Sequence, residues 1–199
     1  MKKFMALLLV AGMTLSLTAC GGSTDTAKTD QADGKDTFTV GFDQDFPPFG
    51  YVGDDGEFTG FDIEMATECA ARMGKKIVLQ PIDWDAKDME LEAGTIDCIW
   101  NGFTMNGRED QYTWTDPYMD NSQVVVVKKD SGINTLADLA GKVVEVQKES
   151  AAETALNDEE HADLTASFAQ LLSVGEYNTA FMDLESGAVD AVAIDIGVA

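Results

Sequence analysis

One histidine, three cysteines, and 13 lysines and arginines against 36 aspartates and glutamates are what this 199-residue chain contains. Each shortage excludes something. The lone His161 lies in an acidic stretch that reads as exposed. There is no G-x-S-x-G, no His/Cys pair in a catalytic context and no phosphate-binding glycine loop. Acid–base and nucleophilic chemistry have no constellation to work with, so no enzyme activity is expected. The cysteine spacing suits no zinc site, and no metal or other cofactor is implied. A formal net charge of −23 repels phosphate backbones, so nucleic acid is not an expected partner. The same charge reads first as a highly soluble exported surface and names no ligand.

Long apolar runs are also scarce. Residues 4–17 form one, too short to span a bilayer comfortably, behind Lys2 and Lys3. This order fits a cleaved export signal over residues 1–19. Its end, Leu17-Thr18-Ala19-Cys20, is similar to the lipobox of bacterial lipoproteins. That similarity implies a lipidated Cys20 at the mature N-terminus, with an ordinary signal peptide and an incidental cysteine as the alternative. Residues 20–36 are polar and small, and read as a flexible tether. Of the other cysteines, Cys69 falls in a helical pattern and Cys98 in a strand pattern. Two buried thiols are expected, and a disulfide is the alternative.

Beyond the tether the pattern is α/β. Strands are expected at 38–42, 76–79 and 97–100. A helix starts from a capping box at Thr59-Gly60-Phe61-Asp62 and carries Ile63, Ala66, Ala70 and Met73 on one face. A shorter helix covers 87–93. This βαβαβ order implies a parallel sheet with right-handed crossovers. A second α/β unit follows the change of character near Pro117. It has strands at 124–127, 143–146, 165–168 and 189–194, a short helix capped by Asn134, and helices from Ser150 and Tyr177. The two units end alike, in Glu92-Ala93-Gly94-Thr95-Ile96-Asp97 and Glu185-Ser186-Gly187-Ala188-Val189-Asp190. This is either an internal correspondence or the generic form of a helix–Gly–strand joint.

Two loops carry candidate chemistry. Gly41-Phe42-Asp43-Gln44-Asp45-Phe46-Pro47-Pro48-Phe49-Gly50-Tyr51 presents an acid and aromatics at a strand end, where open α/β sheets bind ligands. Asn101-Gly102-Phe103-Thr104-Met105-Asn106-Gly107-Arg108 also follows a strand. Gly102 permits close backbone approach, Thr104 offers a hydroxyl and an N–H, and Arg108 offers a fork suited to a carboxylate. With Tyr112-Thr113-Trp114-Thr115-Asp116-Pro117-Tyr118, and Asp195 after the last strand, these loops resemble the extracellular solute-binding proteins of family 3, which capture polar amino acids for ABC importers.

The resemblance implies a two-lobed, periplasmic-binding-protein-like (type II) α/β fold, each lobe a mostly parallel sheet flanked by helices. Residues 37–117 would be lobe 1, 118–122 the hinge and 123–199 lobe 2. Lobe 2 is incomplete at the C-terminus in this comparison, which suggests a fragment, with a shorter natural fold as the alternative. The resemblance implies that Gly102, Thr104, Arg108, Ser150, Ala151 and Asp195 hold the α-carboxylate and α-ammonium of an amino acid. Asp43, Phe46, Trp84 and Asn101 would form its side-chain pocket. The loop from Thr104 to Arg108 is one residue shorter than is common in the family, and Lys148-Glu149-Ser150-Ala151 stands where a glycine-rich turn is frequent. Ordinary core is the alternative for Phe46 and Trp84.

The implied partners are a free amino acid, an ABC permease and the membrane through a lipid anchor, with the protein monomeric at the outer face of the cytoplasmic membrane. The alternatives are a dehydratase-type enzyme, for which Asp43 is the one evident acid–base group, and a ligand-sensing module.

Overall fold

The computed structural model describes residues 36–199. The expected export signal, Cys20 and all of the tether but Asp36 lie outside the described residues. Three sheets organise the rest. In the first, β1 (Thr37–Phe42) lies between β5 (Lys76–Pro81) and β6 (Cys98–Ile99), with every pairing parallel. Crossovers run through α1 (Phe61–Arg72) and α2 (Lys87–Ala93), so the βαβαβ reading holds. Helix α1 buries Ile63, Ala66 and Ala70, the three- and four-residue spacing of one helix face. A small antiparallel sheet of β2 (Asp45–Phe46), β3 (Gly50–Val52) and β4 (Phe58–Thr59) rides on the loop between β1 and α1.

The other large sheet has the order β7 (Gln123–Val127), β10 (Ala191–Asp195), β8 (Val143–Gln147), β9 (Gln170–Val174). β7 runs antiparallel to β10, and the other pairings are parallel. Alternation along β10 divides the core. Val192 and Ile194 pack with Tyr177, Ala180 and Leu184 of α5 (Tyr177–Ser186). Ala191 and Ala193 pack with Ala152 and Leu156 of α3 (Ala151–Asn157) and with Leu139. β10 is thus buried on both faces, as an inner strand covered by helices must be.

The matching strand joints share more than sequence. Gly94 and Gly187 both end their helices in the left-handed conformation, at φ 70° and 85°. Asp97 Oδ2 accepts from Thr39 N at 2.8 Å, and Asp190 Oδ2 accepts from Val143 N at 2.9 Å. In each unit the aspartate satisfies a backbone donor of the neighbouring parallel strand.

Several expectations need correction. The capping box at Thr59 does not form: Gly60 caps α1 without a side-chain bond, because Thr59 pairs in β4 and Asp62 is turned inward to Tyr118. Asn134 does not cap its helix either; Thr135 does, in a reciprocal box with Asp138, over the 3-10 turn Leu136–Leu139. Of the expected strand at 165–168, residues 165–167 are helical, within α4 (Ala162–Ser167), and Phe168 is the cap that ends it. Leu164 and Phe168 pack into one cluster with Leu139 and Leu156, a four-residue spacing that suits a helix and its cap. The strand comes later, as β9. Cys69 and Cys98 are free thiols and half-buried. Burial pushes the Cys98 thiol up to about 12, so it stays protonated and inert.

Candidate functional site

The parallel strands β1, β6, β8 and β10 turn their carboxyl ends toward one cavity of about 270 Å³, part of it open to solvent. Phe46, Trp84, Asn101, Gly102, Thr104, Arg108, Ser150, Ala151 and Asp195 all line it. Asp43 does not. Phe103 and Gln147 line it as well and escaped the sequence reading.

Arg108 supplies the positive end. It is 8% exposed. Its Nη1 donates to Thr104 O at 3.2 Å, and its Nη2 donates to Glu149 O at 3.1 Å and Thr154 Oγ1 at 3.4 Å. Its guanidinium lies 5.2 Å from the Phe103 ring centre. Trp114 Nε1 donates to Arg108 O at 3.1 Å, so the aromatic stretch after Arg108 steadies its backbone. Trp84, Tyr112 and Trp114 each pack within about 5 Å of Phe103. The Trp84 face also holds Lys87 Nζ at 5.4 Å. Lys87 is buried, with Glu149 Oε2 at 3.9 Å, and burial holds its ammonium below the usual lysine range.

Asp195 supplies the negative end. Gln123 Nε2 donates to its Oδ1 at 2.6 Å, Thr104 Oγ1 donates at 3.4 Å, and Asn121 Nδ2 donates to the same oxygen. Among the described residues these donors converge on Oδ1, which leaves Oδ2 as an acceptor for something else. Thr104 touches both charged groups, through its carbonyl at Arg108 and its hydroxyl at Asp195. A cation and an anion thereby share one small residue.

The remaining expected groups are partly committed to the fold. Ser150 Oγ accepts from Glu153 N at 3.1 Å, and Ser150 N donates to Gln147 O at 3.3 Å; the residue is a helix cap as much as a wall. Asn101 Oδ1 accepts from Asp43 N at 2.9 Å. Gly102 adopts φ 56°, where a side chain would be strained, and its N–H donates to Tyr118 Oη at 3.0 Å.

Asp43 departs most from expectation. It is 4% exposed, its Oδ1 accepts from Asp45 N at 2.8 Å, and its Oδ2 accepts from Gln147 Nε2 at 2.7 Å. It stands behind Gln147 rather than at the cavity surface. Burial raises its carboxyl above the usual aspartate range, against the lowering effect of these donors.

Sequence reasoning missed Gln147, Phe103, Asn121, Gln123 and Lys87. Gln147 had a usable signal, since it ends a strand of the second unit as Phe42 and Asp43 end one of the first. Lys87 had none, because a lysine among aspartates reads as a solvated surface.

The family described as bacterial extracellular solute-binding proteins, family 3, matches residues 38–182. The arginine-binding extracellular protein ArtP of Bacillus subtilis is 36% identical over 148 residues, which is 74% of this chain and 56% of ArtP. The L-cystine-binding protein TcyJ of Escherichia coli is 31% identical over 194 residues, 96% of this chain and 69% of TcyJ. The chain thus spans between about half and two thirds of these relatives. A crystal structure of an ABC uptake transporter substrate-binding protein from Streptococcus pneumoniae with bound histidine superposes with a TM-score of 0.78 at 36% identity. It covers 82% of this chain and 67% of that one. The fold is therefore that of the type II periplasmic binding proteins, and this chain belongs to the bacterial extracellular solute-binding proteins of family 3.

Proposed function

We propose that the protein is the substrate-binding component of an ABC importer, which captures a polar or charged amino acid between two lobes and delivers it to a membrane permease. One observation carries this reading: Arg108 and Asp195 meet at Thr104 on the wall of a single cavity. An amino acid carries opposite charges on one carbon, and a cation and an anion that share one small residue suit it. Arg108 and Thr104 come from the loop after β6, and Asp195 from the end of β10. A ligand held by both bridges residues 37–117 and 123–199, taken as two lobes with a hinge at 118–122, and favours their closed arrangement.

The names of the relatives agree in kind, since they bind arginine, L-cystine and histidine. The protein is exported, anchored at the outer face of the cytoplasmic membrane through a lipid on Cys20, and works as a monomer without catalysis.

Calorimetric titration of the purified protein with each of the common amino acids tests the function. Saturable binding of a polar or charged one is expected. A folded protein that binds none of them overturns the proposal. Release of the protein from membranes in a Cys20→Ala variant tests the anchor.

A further inference from the structure

Gln147 ends β8 and is 2% exposed. Its Nε2 makes two bonds, to Asp43 Oδ2 at 2.7 Å and to Gly175 O at 2.9 Å. Both partners are pure acceptors, which fixes the amide's orientation. The flipped amide would set its oxygen against a carboxylate and a carbonyl with no hydrogen between them. Both hydrogens of the amide nitrogen are therefore used. The oxygen, Oε1, has no donor among the described residues and is not sealed from solvent. Gln147 lines the cavity, while Asp43 stands behind it.

We infer that Gln147, and not Asp43, reads the side chain of the bound amino acid, presenting Oε1 as an acceptor that selects ligands with a hydrogen-bond donor at their far end. The inference rests on the proposed amino-acid capture and names the ligand class within it. Asp43 acts as a positioning residue. Its carboxylate draws Nε2 away from the ligand and leaves the field at this end of the cavity negative. Guanidinium, ammonium and carboxamide side chains match an acceptor in such a field. A carboxylate side chain meets lone pairs and charge of its own sign, and pays desolvation without a partner. Phe46, Trp84 and Phe103 line the same cavity, and aromatic side chains there suit a cationic group.

The test uses four probes with identical α-groups: L-arginine, L-glutamine, L-methionine and L-glutamate. Differences among them report the side-chain end alone. Wild-type protein is expected to bind arginine and glutamine more tightly than methionine, and to reject glutamate. In Gln147→Met, which keeps length and loses the acceptor, arginine and glutamine affinity should fall by about tenfold or more, with methionine affinity unchanged. Retained arginine affinity in that variant overturns the inference and returns the role to Asp43. An equal fall for arginine, glutamine and methionine also overturns it, since Gln147 then supports closure and not selection. Should the variant fail to fold, the wild-type comparison decides: glutamate bound as tightly as glutamine overturns the inference by itself. Wild-type protein that binds none of the four probes or any other common amino acid overturns the capture function, and this inference with it.

Discussion

The Arg108 guanidinium donates to the carbonyl of Glu149, and Glu149 is the one described non-glycine residue with positive φ, at 60°. The strained residue is held by its contacts. Its N–H donates to Glu153 Oε2 at 2.7 Å, and its carboxylate faces the buried Lys87. A left-handed non-glycine residue costs on the order of 1–3 kcal/mol. Replacing Glu149 with glycine or with valine removes the Lys87 contact equally, so the difference between the two variants isolates the backbone. Glu149→Val should be less stable than Glu149→Gly by about 1–3 kcal/mol in denaturant titrations. Equal midpoints would show that the turn relaxes at no cost.

In the proposed function Arg108 is the principal charged group offered to a ligand carboxylate. Arg108→Ala should lower amino-acid affinity by about 2–5 kcal/mol, as for other desolvated charge pairs. Arg108→Lys should recover little of it, because an ammonium cannot reproduce the planar fork that already spans Thr104 O and Glu149 O. Calorimetry on both variants reads the effect, and unchanged binding in Arg108→Ala would remove this residue from the site.

Tyr118 lies in the expected hinge, and its hydroxyl is a node. It donates to Asp62 Oδ1 at 2.9 Å and accepts from Gly102 N at 3.0 Å. Asp62 is 1% exposed, so losing this donor leaves a buried carboxyl without its partner. Tyr118→Phe should cost about 1–3 kcal/mol of stability. It should also weaken amino-acid binding, because Gly102 carries the Asn101 and Thr104 side of the cavity. Wild-type-like melting and affinity together would show the node to be dispensable.

Glu145 on β8 is 1% exposed, and its Oε2 accepts no hydrogen bond among the described residues. Burial, reinforced by the charge of Asp183, raises its carboxyl above the ordinary value of 4.5. Just above that value the folded state therefore binds the proton more fully than the unfolded state does. Stability from this group is complete below about 4.5 and declines as pH rises from there through the folded value. Glu145→Gln should be more stable than wild type at neutral pH, by about 1–3 kcal/mol, with the advantage shrinking as pH falls through the raised folded value toward 4.5 and lost below it. Parallel stability–pH curves for the two proteins would contradict this.

Much of the architecture was legible because parallel strands and amphipathic helices leave different periods. The helix at 87–93 matches α2 residue for residue, and glycine marks its end. The strand expected at 165–168 failed because Thr165 and Phe168 carry β propensity, while Leu164 and Phe168 pack at helical spacing. In the site, strand ends located most of the cavity wall. Order along the chain cannot say which of two groups stands in front of the other. Asp43 and Gln147 are 104 residues apart, and only folding shows the glutamine interposed between aspartate and cavity.

Phe46 and Phe49 follow β1 in sequence and are tied to α1 by the bonds Phe61 N to Pro48 O and Asp62 N to Phe49 O, at 2.9 and 3.0 Å. Their rings nevertheless belong to the cluster of Tyr177, Leu184, Val192 and Ile194 under the other large sheet. Any separation of the two sheets withdraws these rings from that cluster and wets them. An aromatic side chain covers about 150–250 Å², and exposed apolar surface raises heat capacity by about 0.45 cal/K/mol per Å². Closing should therefore lower the heat capacity of the protein whatever occupies the cavity, and the enthalpy of closing should grow more favourable as temperature rises.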